Sequence, residues 1–84
     1  MILDQINDMK HCIGYEQRHV KRGKYKAYRN YYNTGEERCK NWDELVVLEY
    51  ANYWTKHNQH FYYLTEKGIK FLSEILDVKI TEIK

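Results

Sequence analysis

The sequence contains no proline and only four glycines, so no flexible or proline-stiffened linker divides it. Its apolar runs are short. None approaches the roughly 18 residues of a membrane-spanning helix, and the opening MILDQINDMK has neither the basic start nor the apolar stretch of a secretory signal. The expectation is a cytoplasmic protein without membrane contact. In that compartment two cysteines, Cys12 and Cys39, are expected as free thiols rather than as a disulfide. Charge of one sign is missing too. Fourteen Lys and Arg against 12 Asp and Glu leave a net charge of +2, which excludes a uniformly cationic coat, and 43% hydrophobic residues exclude a disordered chain.

Aromatic rings are what the chain has in quantity. Nine Tyr, two Trp and two Phe stand among 84 residues, enough for one domain. A domain this small buries little more than about 60% of its unfolded surface, so each core side chain must cover a large area. Tyr and Trp do so while keeping a polar atom for the edge, which predicts a shallow aromatic core.

Hydrophobic periodicity places the elements. Ile2, Leu3, Ile6, Met9 and Ile13 recur at intervals of three and four, a helical face opposite Asp4, Asp8 and Lys10, and Gly14 ends it. Residues 14–24 read as an irregular arm or hairpin tip around the Arg22-Gly23 turn signal. Alternation of Tyr25, Ala27 and Tyr31 with Lys24, Lys26 and Asn30 predicts one strand over residues 25–32. A second helix has two capping-box starts, Thr34 with Glu37 and Asn41 with Glu44. The Asn41 start aligns an apolar stripe of Trp42, Leu45, Val46 and Tyr50 or Tyr53. Aromatic runs 53–56 and 60–64, separated by His57-Asn58-Gln59, predict a hairpin. Thr65 caps a last helix bearing Ile69, Leu72 and Ile75 or Leu76, in which Gly68 predicts a close packing contact. Residues 77–84 form a mixed tail.

The resulting order is helix, strand, helix, aromatic hairpin, helix, with Tyr62-Tyr63-Leu64-Thr65-Glu66-Lys67-Gly68 leading into the last helix. Over residues 41–76 this resembles the end of a winged-helix domain, with the hairpin as the wing. The expected class is therefore a small α+β, winged-helix-like domain. His11-Cys12-Ile13-Gly14, Tyr28-Arg29-Asn30-Tyr31-Tyr32 and Trp42-x-x-Leu45 are also similar to short uncharacterised proteins of phages and prophages of Gram-positive bacteria, which implies origin and carries no catalytic residues. The usual winged-helix reader has a basic or polar helix before its wing. Here that helix carries Asp43, Glu44 and Glu49 and no cation between Asn41 and Thr55, so it is not expected to enter a DNA groove.

Charge is unevenly distributed. Residues 17–33 hold Arg18, Lys21, Arg22, Lys24, Lys26 and Arg29 without an acid, whereas residues 34–52 are net acidic. Tyr25, Tyr28, Tyr31 and Tyr32 are interleaved with these cations. Phosphate pairing combined with base stacking needs this pattern, and a solvated edge strand whose tyrosines face the core produces it as well. The candidate anion-binding residues are Arg18, Lys21, Arg22, Lys24, Lys26 and Arg29 with Tyr25 and Tyr28, and His57, Asn58 and Gln59 form a candidate wing tip.

Other chemistry finds little support in the sequence. Among His11, Cys12, His19, Cys39, His57 and His60 only His57-x-x-His60 is closely spaced, across a turn, so no metal site is expected. There is no nucleophile elbow, phosphate-cradling glycine loop or paired-carboxylate pattern. The expectation is a non-enzymatic, cofactor-free binding module of phage origin that engages nucleic acid or a nucleoprotein through its basic arm. The alternative is a protein-binding inhibitor or adaptor aimed at a host machine, such as an anti-CRISPR or anti-restriction protein. A homodimer joined through exposed aromatics is a third possibility.

Overall fold

In the computed structural model, which describes residues 2–81, three helices and five strands form a small α+β domain. Helix α1 (Leu3–Cys12) buries Gln5, Met9 and Cys12. Ile2 and Leu3, expected on its apolar face, are exposed because the first turn overhangs the core. Gly14, at φ +65°, lets the chain close α1: Gly14 N–H donates to His11 O and Tyr15 N–H to Lys10 O. Gln5 ties α1 to α2 (Lys40–Val47), its Nε2 donating to Asn41 O at 3.2 Å and to Glu44 Oε2 at 3.0 Å.

The expected single strand over residues 25–32 is two strands in two sheets. Strand β1 (Lys24–Lys26) pairs in parallel with β5 (Lys79–Thr81), which lies in the expected mixed tail of residues 77–84, the last three of which are outside the described residues. Strand β2 (Tyr32–Gly35) starts at the last residue of the expected strand and joins β3 (Ala51–Lys56) and β4 (Gln59–Leu64) in the order β2-β4-β3, all antiparallel. Residues 27–31 carry the chain between the sheets. The reason it leaves the strand there is Asn30, whose side-chain amide occupies the Leu64 backbone in place of a ladder bond.

The cap of helix α2 falls two residues before the expected Asn41, and neither expected capping box forms. Cys39 holds the cap position without a side-chain bond, while Thr34 Oγ1 donates to Glu37 O at 2.8 Å. The final helix α3 (Glu66–Leu76) is capped as expected, Gly68 N–H donating to Thr65 Oγ1 at 3.1 Å. Its stripe continues through Leu76, half-buried, rather than Ile75, which is exposed. A Cβ at Gly68 would overlap the Tyr50 carbonyl, so the close packing expected of this glycine is present.

The core is aromatic, as its composition requires. Trp42 and Tyr62 are fully buried and stack with centroids 5.5 Å apart, and Tyr32 tilts against Trp42 at 5.3 Å. Leu45, Leu64, Leu72, Met9 and Ile13 close around them. These rings and chains supply most of the hydrophobic stabilisation, at about 25 cal/mol for each Å² withdrawn from water. No described helix is long and apolar enough to cross a membrane.

Candidate nucleic-acid interface

The basic segment is built on a two-residue turn. Lys21 and Lys24 exchange backbone hydrogen bonds at 2.9 and 3.0 Å, and Arg22 and Gly23 between them have φ of 54° and 73°. Left-handed backbone at both positions defines the tight hairpin turn that matches strand twist. Lys21, Arg22 and Lys24 are therefore carried together on one exposed tip. Lys79 N–H donates to Gly23 O at 2.8 Å and anchors that tip to β5. Among the described residues no carboxylate lies within ion-pair distance of these three cations. Lys26 stands two residues on, exposed on the same strand face as Lys24.

The other members of the expected set are differently placed. Arg18 precedes the tip, in a short 3-10 turn (Gln17–His19), and pairs with Glu16 at 2.6 Å. That pair is well exposed and correspondingly weak. Arg29 is a structural cation. Its Nη2 donates to His11 O at 2.7 Å, at the C-terminal end of α1 where positive charge is favoured, and its guanidinium lies between the Tyr28 and Tyr31 rings at 5.5 and 6.0 Å.

Tyr25 is a correction to the candidate set. It is 2% exposed, its ring packs edge-on against Tyr15, and its hydroxyl donates to Gly14 O at 2.5 Å. Burial, with smaller effects from Tyr28 and Glu16, pushes that hydroxyl above the ordinary tyrosine range. A ring enclosed this way offers no stacking surface. Tyr28 does: it is 66% exposed, with one side of its ring against Gly14.

The expected three-residue wing tip is a two-residue turn. His57 and Asn58 both have left-handed backbone and are exposed, whereas Gln59 begins β4, paired with Lys56, and accepts from Asn33 Nδ2 at 2.8 Å. Helix α2 turns Asp43 inward toward the hairpin. Asp43 Oδ1 accepts from Tyr62 Oη at 2.7 Å and Arg38 Nη2 at 2.9 Å. Burial alone would raise this carboxyl, but those two bonds together hold it below the usual carboxylate range.

A wide groove of about 1320 Å³ runs between α3, β5 and the basic tip, with Tyr63, Ile69, Val78 and Ile80 on its walls. Glu66, Glu74 and Asp77 line it with Lys70 and Lys79, so its charge is mixed and it does not extend the cationic tip. Among the described residues no cluster of three or more His, Cys, Asp or Glu could hold a metal.

In the sequence Trp54 and Phe61 stand out only as members of the two aromatic runs, 53–56 and 60–64. Trp54 is 43% exposed. The signal was present in phase: Asn52, Trp54 and Lys56 alternate with Ala51 and Tyr53, so a single strand face gathers them. Comparison with family models, curated proteins and solved structures found no match.

Proposed function

We propose that this protein is a non-enzymatic nucleic-acid-binding module that holds phosphates with the tip formed by Lys21, Arg22 and Lys24. The observation that carries the reading is the juxtaposition of three exposed cations on one tight turn, with no carboxylate in ion-pair reach among the described residues. Lys26 extends the row along β1, and Tyr28 supplies an exposed ring beside Arg29. In this reading the β3–β4 hairpin plays the part of a wing in a winged-helix-like arrangement, with His57 and Asn58 at its end. Helix α2 stays out of a DNA groove in this reading, since Asp43 is engaged by Tyr62 and Arg38, and exposed Glu44, with Glu49 just past the helix end, repels phosphate.

The test is a fluorescence anisotropy titration with duplex DNA, single-stranded DNA and RNA at two salt concentrations. Binding is expected to weaken steeply with salt. Replacing Lys21, Arg22 and Lys24 together with Ala is expected to weaken binding to all sequences alike and to lower the log–log salt slope by roughly two to three, about 0.7–0.9 per lost phosphate contact. Affinity that ignores salt, or a loss confined to one sequence, overturns the reading.

A protein-binding inhibitor is the second reading, and the groove between α3 and β5 favours it: apolar walls with interspersed acids and lysines suit a polypeptide better than a phosphate chain. Retention of a host protein from nuclease-treated lysate, lost on placing a charge at Ile69, is the outcome expected under it.

A further inference from the structure

The β2-β4-β3 sheet has a face that the core does not use. Directly opposed residues of paired strands project to the same side. Tyr62, fully buried, marks the inner side together with its partners Tyr32 and Tyr53. The outer side therefore carries Asn33, Phe61 and Trp54, opposed across all three strands, flanked by the pairs Tyr63 with Asn52 and Gln59 with Lys56. Phe61 and Trp54 stack face to face with centroids 4.5 Å apart and planes 13° from parallel, so each ring turns one face to the other, and Trp54, on the edge strand β3 and 43% exposed, keeps its opposite face for a further ring.

The polar groups of this face are amides, one ammonium and the Tyr63 hydroxyl. No carboxylate belongs to it. The amide oxygens are used within the sheet: Gln59 Oε1 accepts from Asn33 Nδ2, Asn33 Oδ1 from Gly35 N–H at 2.7 Å, and Asn52 Oδ1 from Tyr53 N–H at 3.2 Å. Gln59 Nε2, Asn52 Nδ2 and Lys56 Nζ have no hydrogen-bond partner among the described residues. What the face presents is π surface flanked by unpartnered donors, with the Tyr63 hydroxyl able to donate or accept.

We propose that this outer face is a stacking platform for unpaired bases, so that the ligand of the module is single-stranded nucleic acid. The inference rests on the nucleic-acid reading above and narrows it. Phosphate oxygens and base carbonyls are the acceptors these donors lack, and only a strand with unstacked bases can lay a ring on Trp54, because a duplex hides its base faces. A second copy of the chain fits the same face less well, because face to face Lys56 would find no carboxylate.

The experiment compares a labelled oligothymidylate with a duplex of equal length, both titrated with the full chain. The single strand is expected to bind about tenfold tighter or more, with quenching of the exposed tryptophan on binding. Trp54→Ala is expected to lose about tenfold for the single strand, to abolish the quenching and to leave the salt slope unchanged, whereas Trp54→Tyr retains most of the affinity. Far-UV circular dichroism checks that both variants fold. Equal affinity for the two ligands, or single-strand affinity unaffected by Trp54→Ala, overturns the platform while salt-dependent binding keeps the basic tip. Absence of any nucleic-acid binding overturns both. Trp54→Ala that converts a dimer to a monomer in sedimentation overturns the platform in favour of self-association.

Discussion

The side-chain amide of Asn30 grips the backbone of Leu64 from both ends: Asn30 Nδ2 donates to Leu64 O at 3.0 Å, and Leu64 N–H donates to Asn30 Oδ1 at 2.8 Å. The β2–β4 register, continued back from Tyr32 and Tyr62, brings residue 30 opposite residue 64. A side chain thus does there what a strand backbone does elsewhere, and the chain is released toward β1. Cys12 Sγ donates to the same Oδ1 at 3.3 Å, the third bond of this side chain.

Asn30→Ala strands a buried N–H, a carbonyl and a thiol together, at a cost of about 2–3 kcal/mol. Urea unfolding should report that loss. Asn30→Asp is expected to be at least as damaging, because it keeps an acceptor for Leu64 N–H but sets a carboxylate against Leu64 O.

Asp43 predicts an acid limb in stability. Its folded pKa is lowered, so its contribution is complete above the unfolded value, about 4, and disappears as pH falls through the folded one. Asp8 opposes it: burial, then Asp4, raise its carboxyl, so its ionisation works against folding at neutral pH. Asp43→Asn is expected to flatten the fall in melting temperature below about pH 4 and to cost about 1 kcal/mol at pH 7, a modest figure because the group is one-third exposed. Thermal melts from pH 2 to 7 measure both.

The two thiols should behave oppositely. Burial pushes Cys12 up to about 12, while Cys39 is only half-buried. A disulfide reagent at pH 8 is expected to label Cys39 in the native protein and Cys12 only after denaturant is added. Because the raised Cys12 value keeps its proton in the folded chain, stability should also decline as pH rises past the unfolded thiol value, about 8.5.

Tyr25 and Tyr28 separate packing from binding. Tyr25→Phe removes the bond to Gly14 O and should cost about 1 kcal/mol of stability without changing nucleic-acid affinity. Tyr28→Ala, at an exposed site, should shift stability by under about 0.5 kcal/mol and weaken binding if its ring meets the ligand. Calorimetry and anisotropy on the same samples distinguish the two.

What the sequence made legible was local. The helical spacing of Met9 and Ile13, the Thr65 cap, the intimate contact of Gly68 and the β3–β4 hairpin all depend on neighbours within a few positions, and all are present. Strand β5 was not legible, because three residues, Lys79, Ile80 and Thr81, are too few to show alternation and their partner lies near the other end of the chain. The break after Lys26 was hidden for a related reason: Tyr and Lys continue to alternate past it, and only the placement of Leu64 explains why Asn30 ends the pattern. The candidate site divides similarly. Clustering of Lys21, Arg22 and Lys24 follows from the Arg22-Gly23 turn, whereas the fate of Arg29 and Tyr25 was decided by carbonyls of residues 11 and 14 that composition does not reveal.

The parallel pairing of β1 with β5 also sets an order of events at the ribosome. Lys24 to Lys26 find their strand partner only when Lys79 to Thr81 have left the exit tunnel, since β5 is the strand with which β1 forms its sheet. The hairpin and its helices have their contacts available earlier. The cationic turn is consequently locked against its sheet partner only after the β3–β4 hairpin has emerged.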